Sequence, residues 1–588
     1  MKKTHLALGL LWLVFLIACK KPAQDAQSAN VQTMGMGIPF KKNPYSIENI
    51  KAALKALGRE DEKLEEDRKY IYFKFDVTRV SSDFMTLMAA DSNAQVMDIP
   101  FASGVLYQDD TKPDRATIES YKDGNLYVVC KSNSVLANRL SSNDGVTADF
   151  LDELYLPMVK DEDLQLQALI SSGFVKETSL QALRIRICLF KVPQGRVTYL
   201  DQFQNTTRPV PHMMVWALVF GVPINTYTNE NGNYIIPYAF SAGTYMGTHA
   251  KNWRTNIRPF NTTGTIAGAV INVLNDFATG SLYNHGWITS CEMKNAVNIH
   301  FGNHNPPRFW AQLLHGTYMN DIYCNQDNIT KPPFIVTYAH WSLHTGAAST
   351  PMLNHLSAVG YGEVINQYIT NLINGSFTSN FIATATGQAL NNLCLGVKPD
   401  ISIKVDNDMN VYTNYSEDLM QTLFHELGHA SLYTRLGNDK WGKIIARTIA
   451  ENGYGNQNGQ DWGLIQLNES WAEFMGKEHH RRLHPAGTAF VWSVGNRQPY
   501  PDALENDQWF FANWINTGIY YDLMDNNNDG FDALNGYSIN SMFFTFGATT
   551  RDLCTWRTRF VQNNPGINQL GLTFLMNAQN GWNTNCQN

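Results

Sequence analysis

The spacing of apolar residues changes character several times along the chain. Residues 6–18 form an unbroken apolar run behind Lys2 and Lys3. From 20 to about 45, Lys, Gln, Ser, Asn and Gly dominate, which predicts a flexible tether. Within 46–68, Ile50, Leu54 and Leu57 recur at helical spacing and a run of charges follows. The stretches 70–75 and 126–129 read as strands, so residues 46–190 are expected to form a small α+β domain. Over 191–262 the pattern becomes short alternating strands at 195–201 and 209–218, with an Asn-Gly turn signal inside 228–234. That predicts a β-sandwich. Further strand signals lie at 296–301, 334–338 and 401–405, and helical patterns dominate after them. In one of these, Leu419, Leu423, Leu427 and Ala430 mark a buried stripe. Ser416 can cap that helix, and Glu417 and Asp418 suit its positive first turn. A sheet followed by helices predicts an α+β domain over 263–588.

Length and composition sharpen this picture. At 588 residues the chain is too long for one core. Apolar residues make up 44% and charged residues 16%, enough for sizeable cores. A net charge of −7 gives no basic footprint, so nucleic acid is not an expected partner. The apolar run at 6–18 is shorter than the roughly 20 residues a membrane span needs. It reads as a secretory signal over 1–18. After Cys19, seven cysteines remain, widely spaced and with no CxxC pair, which argues against a cysteine metal cluster. An odd number leaves at least one thiol free, and one or two disulfides can form.

The chemistry concentrates at His425, Glu426 and His429. Two histidines four apart on a helix point the same way and can bind one metal ion. Glu426 lies beside them, where its carboxylate can reach a water on that metal. Zinc lowers the pKa of such a water toward 7, and a carboxylate can take its proton.

Several of these strings resemble known families. Leu16-Ile17-Ala18-Cys19 resembles the bacterial lipobox. That implies lipidation of Cys19, a tether over 19–45 and attachment to the cell envelope of a bacterium, at the outer membrane. The order of strands and the TNENGNY turn within 191–262 resemble the carboxypeptidase-regulatory-like sandwich, which implies a non-catalytic spacer or docking module. His425-Glu426-Leu427-Gly428-His429 is the HExxH motif of the zincin metallopeptidases. A catalytic zinc needs a third protein ligand. Leu432 and Arg435 argue against the metzincin pattern. The string 467–474 (LNESWAEF) resembles the gluzincin pattern, which implies Glu469 as the third ligand and Glu473 as the carboxylate that orients a ligand histidine. Thirty-nine residues separate His429 from Glu469, against about twenty in well-known gluzincins. The Gly- and Asn-rich segment 452–463 is the expected insertion. Glu451 is the main rival ligand, with Asp439 and Asp461 behind it. The resemblance thus implies a multidomain α+β protein. Its C-terminal zincin-like domain would carry a mixed sheet and an active-site helix, hold Zn2+ and act on peptide or protein substrates.

Other signals carry less. Residues 525–530 (DNNNDG) match the first half of a calcium loop. Gly536 stands where an EF-hand needs a bidentate Glu, so a polar turn is the better reading and a structural Ca2+ the secondary one. His480, Tyr520 and Tyr521 are candidates for oxyanion stabilisation, though packing explains each more cheaply. Strands near Ile299 and Ile401 could accept an extended peptide by strand addition. Two competing functions remain at this point. One is a cell-surface binding protein on a degenerate zincin scaffold, against which the intact Glu426 argues. The other is a peptidase specialised for glycosylated proteins.

Overall fold

Folded structure begins before the helix expected after position 46. Ser46 accepts a hydrogen bond from the Asn49 backbone and caps α1 (Ile47–Ala56), which buries Ile50, Ala53 and Leu54. The segment just ahead of it is not tether. Tyr45 is fully buried with its ring 5.0 Å from Phe220, and Asn43 Nδ2 donates to the Phe220 carbonyl at 2.7 Å. The expected tether boundary at 45 is therefore late, because Asn43 satisfies a carbonyl in a turn of the following module. The computed structural model describes residues 43–76, 79–91, 94–101, 123–174, 191–240, 243–261, 279–289, 291–342, 348–356, 360–376, 394–406, 415–456, 461–485, 518–524 and 534–576, with 273, 391 and 515 singly. The signal at 1–18, Cys19 and the loop at 525–530 lie outside them.

The first sheet is antiparallel throughout, in the order β2-β3-β1-β4. Its strands are β1 (Lys69–Phe75), β2 (Gln95–Met97), β3 (Leu126–Lys131) and β4 (Ala148–Tyr155). Helices α2 (Ser82–Ala90), α3 (Val135–Ser142) and α4 (Glu162–Ser171) accompany it, and α4 packs on α1.

Eight strands then build two further sheets. In one, β12-β10-β7-β8 run antiparallel, with β7 (Met214–Val219), β8 (Val222–Tyr227), β10 (Thr244–His249) and β12 (Leu282–Ile288). In the other, β5 (Gln194–Asp201) pairs with β6 (Thr206–Pro209), β9 (Asn233–Ile235) and β13 (Ile299–Phe301). The expected turn at 228–234 closes on Asn229, whose Oδ1 accepts from the backbone of Asn231 and Asn233, each at 3.0 Å. Gly232 supplies the positive φ of 76° that the turn requires.

The fourth sheet is mixed, in the order β11-β14-β16-β15. Strands β11 (Thr255–Asn261), β14 (Ile335–Ser342) and β16 (Ile401–Asp406) are parallel, and β15 (Ala348–Ser349) is antiparallel at the edge. Residues 335–340 of β14 are all buried, as a central parallel strand demands. Strand pairing crosses the boundary expected at 262/263. β11 lies before it yet belongs to the mixed sheet, while β12 and β13 lie after it yet pair with the preceding strands. Pairing partners far apart in sequence decide membership here, and local alternation does not reveal them.

Helix α5 (Pro306–Gln326) packs on the mixed sheet and on α7 (Tyr415–Ala450). Helix α6 (Gly362–Ser376) also touches α7, and α8 (Trp462–Leu483) crosses it over a long contact. Tyr415 is the first described residue of α7, and the expected capping role of the Ser416 side chain lies outside what the structure describes. At Gly437 (φ 78°, ψ 172°) the helix breaks and restarts in a new direction. Of the cysteines, Cys130, Cys324 and Cys394 are free and buried, whereas Cys291 and Cys554 are disulfide-bonded. Among the described residues no helix is long and apolar enough to cross a membrane.

Candidate metal centre

Small residues let the two long helices approach closely. A Cβ on Gly428 would meet Ala472 Cα at 3.2 Å, and one on Gly476 would meet His425 Cβ at 3.0 Å. On the opposite side, a Cβ on Gly316 of α5 would lie 2.4 Å from Leu423. α7 is thus clamped between α5 and α8, with Leu419, Leu423, Leu427 and Ala430 buried as the stripe predicts. The tight crossing carries Glu469 of α8 to the two histidines of α7.

Three side chains converge there. His425 Nε2 and His429 Nε2 lie 3.1 Å apart, and Glu469 Oε2 is 3.5 Å from the first and 3.2 Å from the second. All three residues are buried, and among the described residues they are the only His/Cys/Asp/Glu group whose donor atoms gather within 4.8 Å of one another. The outer ring nitrogens settle the tautomers. His429 Nδ1 faces Asn468 Oδ1 at 2.9 Å, and an amide oxygen only accepts, so Nδ1 donates. The Asn468 amide nitrogen reaches Glu469 Oε1 at 3.5 Å, which fixes the amide's orientation. His425 Nδ1 donates to Glu473 Oε2 at 3.1 Å. The inner Nε2 atoms of both rings thus face Glu469 Oε2, which has no hydrogen bond of ordinary geometry among the described residues; with neutral rings all three atoms would be acceptors. Three such atoms in a buried site need a positive charge among them, a metal ion or a proton on a ring.

With no metal ion, a proton takes that place. Burial pulls the His425 pKa down, but hydrogen bonds to Glu469 and Glu473 outweigh it and raise the value to about 10. Burial pushes Glu469 up, but the charge of His429 and hydrogen bonds to both histidines bring it to about 2. Glu473 also falls to about 2, because the Lys477 ammonium and His425 overcome its burial. Lys477 Nζ lies 3.1 Å from Glu473 Oε1 with both side chains largely buried. The donor set fits zinc: two imidazoles and one carboxylate, with outer partners holding the rings.

Glu426 stands beside this group and is buried. The Thr350 hydroxyl, just past the edge strand β15, donates to Glu426 Oε2 at 2.6 Å. Burial raises the Glu426 pKa above the ordinary carboxylate value. Tyr454, on the connection between α7 and α8, lies within electrostatic reach of the same carboxylates. Burial and the charges of Glu469, Glu426 and Glu473 hold its phenol protonated, well above the usual value.

The rival ligands stand apart. Glu451 is exposed at the end of α7, Asp439 pairs with Lys443 at 3.2 Å, and Asp461 sits at the start of α8. The long spacing between His429 and Glu469 is filled differently than expected. The helical part of α7 beyond Gly437 takes up much of it, residues 451–456 follow as turns, and 457–460 lie outside the described residues. The oxyanion candidates serve elsewhere. His480 Nε2 bonds His484 Nδ1 at 2.9 Å, and His484 Nε2 bonds Asp201 at 3.0 Å. Tyr520 and Tyr521 are buried in an aromatic cluster with Trp471 and Phe474. Strand β16, which carries Ile401, pairs with β14 along its length and with β15 at Ser402 and Ile403. Ile299 lies on β13, in the sheet of β5.

Thr350, Tyr454 and Lys477 had no part in the sequence reading. Lys477 alone carried a local signal, four residues after Glu473 on the same helix face. Comparison with protein families, with characterised proteins and with solved structures returns no match for this chain.

Proposed function

We propose that the chain is a zinc-dependent peptidase of the gluzincin type, with His425, His429 and Glu469 as metal ligands and Glu426 as general base. The convergence of two inward Nε2 atoms on the Glu469 carboxylate carries this reading. The mixed sheet beside the helix of the HExxH motif is the arrangement expected of a zincin. A bound zinc would polarise a peptide carbonyl and make a water acidic enough to lose its proton near neutral pH.

The chain's own residues supply the rest. Glu426 takes the proton from the attacking water and returns it to the leaving amine. Its burial raises its basicity, and the Thr350 hydroxyl holds one oxygen so that the other is left for proton transfer. Glu473 and Asn468 lock the ligand rings, and Lys477 locks Glu473. The Tyr454 phenol can donate a hydrogen bond to a developing oxyanion. Strand β15 leads directly into Thr350 and is the outermost strand of its sheet, so an extended peptide would pair there. Cys19 would tie the protein by lipid to the bacterial cell envelope.

Replacing Glu426 separates base from ligand. Glu426→Gln should keep stoichiometric zinc and lose peptide hydrolysis by about 10²–10⁴-fold. Equal hydrolysis by the two forms would refute the assignment. Full zinc occupancy without hydrolysis by the wild type would favour a binding protein instead.

A further inference from the structure

A second polar site lies away from the metal centre, where three parts of the fold meet. It is a polar cleft open to solvent. His249 at the end of β10, Lys251 just after it and Arg258 on β11 line one side. Gly280 and Ser281, leading into β12, form the floor. Met88 of α2 and Val96 of β2 close it from the N-terminal layer.

The side chains are arranged around open space. With the Asn256 amide turned to suit its neighbours, its oxygen accepts from Arg258 Nη2 at 3.0 Å and from Nε at 3.2 Å. Arg258 Nη1 then borders Gly280. A Cβ at Gly280 would lie 3.3 Å from that nitrogen and 3.8 Å from His249 Nδ1, so the missing side chain is what keeps the space open. Ser281 Oγ accepts from the Ala250 backbone at 2.7 Å, which leaves its own proton for an acceptor. Two basic side chains, Lys251 and Arg258, stand against one carboxylate, Asp91, among the lining residues. Asp91 attracts Lys251 only at a distance, and among the described residues no carboxylate forms an ion pair with that ammonium.

We propose that this cleft binds a small tetrahedral oxyanion, phosphate or sulfate, between Lys251, Arg258 and Ser281. A planar guanidinium and an ammonium approaching from different strands match an anion with acceptors on several sides. The cost of leaving the bases together supports this independently. Burial and the neighbouring Arg258 pull the Lys251 pKa down to about 8, and burial lowers Arg258 to about 10. Burial, with Lys251 and Arg258 nearby, holds His249 neutral. An anion seated here removes that penalty and bridges the N-terminal layer, the strands around β10 and the mixed sheet. The site stands apart from the metal centre and does not depend on the peptidase reading.

Titration calorimetry of the zinc-loaded full chain with inorganic phosphate, at ionic strength held constant with chloride, tests this. One saturable site is expected, with sulfate competing and acetate binding more weakly. Lys251→Met should weaken phosphate binding about tenfold or more. Gly280→Ala keeps both bases but fills the cradle and should weaken it as well. Lys443→Met, an exposed lysine paired with Asp439, should bind as wild type does. If Lys251→Met does not fold, 31P line broadening of phosphate by the wild type, reversed by sulfate, gives the same answer. Absence of saturable binding to the wild type, or undiminished affinity in both Lys251→Met and Gly280→Ala, overturns the proposal.

Discussion

Removing the Lys477 ammonium should weaken both the fold and the metal centre. Lys477 is buried on α8 and holds Glu473 Oε1 at 3.1 Å, while Glu473 Oε2 holds His425 Nδ1. Lys477→Met keeps the apolar stem and deletes the charge, leaving the Glu473 carboxylate buried with its strongest stabilising partner gone. Breaking a buried ion pair from one side typically costs about 3–5 kcal/mol. The His425 ring still donates to this carboxylate, which places the expected loss near the lower end, about 3 kcal/mol. Zinc affinity should fall about tenfold, the usual lower range when a ligand's outer partner is disturbed. Urea unfolding of the metal-free protein measures the first effect, and competition with a chelator the second. Adding Glu473→Gln removes the stranded charge while keeping an acceptor for His425, so the double variant should regain at least half of the lost stability. A single variant within about 0.5 kcal/mol of wild type, or a double variant no more stable than the single, would refute the reasoning.

Glu469→Gln should abolish most zinc retention on dialysis, whereas Glu451→Gln should retain wild-type metal content; the reverse order would reassign the third ligand. Gly476→Ala pushes a methyl against His425 Cβ and the Gln421 carbonyl, and should cost about 1–3 kcal/mol by thermal unfolding and loosen zinc. Gly566→Ala, with open space around its Cβ, is the control expected to change little. Burial first, and the Lys404 charge second, hold His340 at about 3 in the folded state against about 6.5 when unfolded. The unfolded chain binds the proton more readily in that window, so stability is complete above 6.5 and declines as pH falls toward 3. The slope is up to about 1.4 kcal/mol per pH unit. His340→Gln should flatten that part of the metal-free stability curve, and an unchanged slope would show that other groups dominate it.

What the sequence disclosed and what it hid follow from the range of the interactions. His425, His429, Glu469 and Glu473 stand in pairs four apart on helices, so their spacing alone places each pair on one face. Gly428, Ala472 and Gly476 were visible as small residues, but only the helix crossing gives them a purpose. Thr350 reaches Glu426 across 76 positions of sequence, and no local pattern announces such a partner. Tyr454 sits among Gly and Asn in a segment whose composition says only that it turns. Strands were found well where they alternate or form short apolar runs, as at β1, β3, β5 and β16. Their grouping into sheets was not, because β11 pairs in parallel with β14 across some eighty residues, and parallel pairing leaves no hairpin signature.

That grouping governs how the protein could be divided. The chain leaves β10, lays down β11 as the first strand of the mixed sheet, and returns to pair β12 with β10. The two bodies are laced through each other and are not beads on a string. A fragment starting at 263 would lack β11 and present the bare backbone of β14 to solvent, an edge that invites aggregation. A fragment ending at 262 would carry β11 with nothing to pair to and would lose β12 and β13. Neither half can be inherited, exchanged or secreted as an independent module. The helices that carry His425, His429 and Glu469 come with the mixed sheet, and the first strand of that sheet comes from the stretch of chain between β10 and β12.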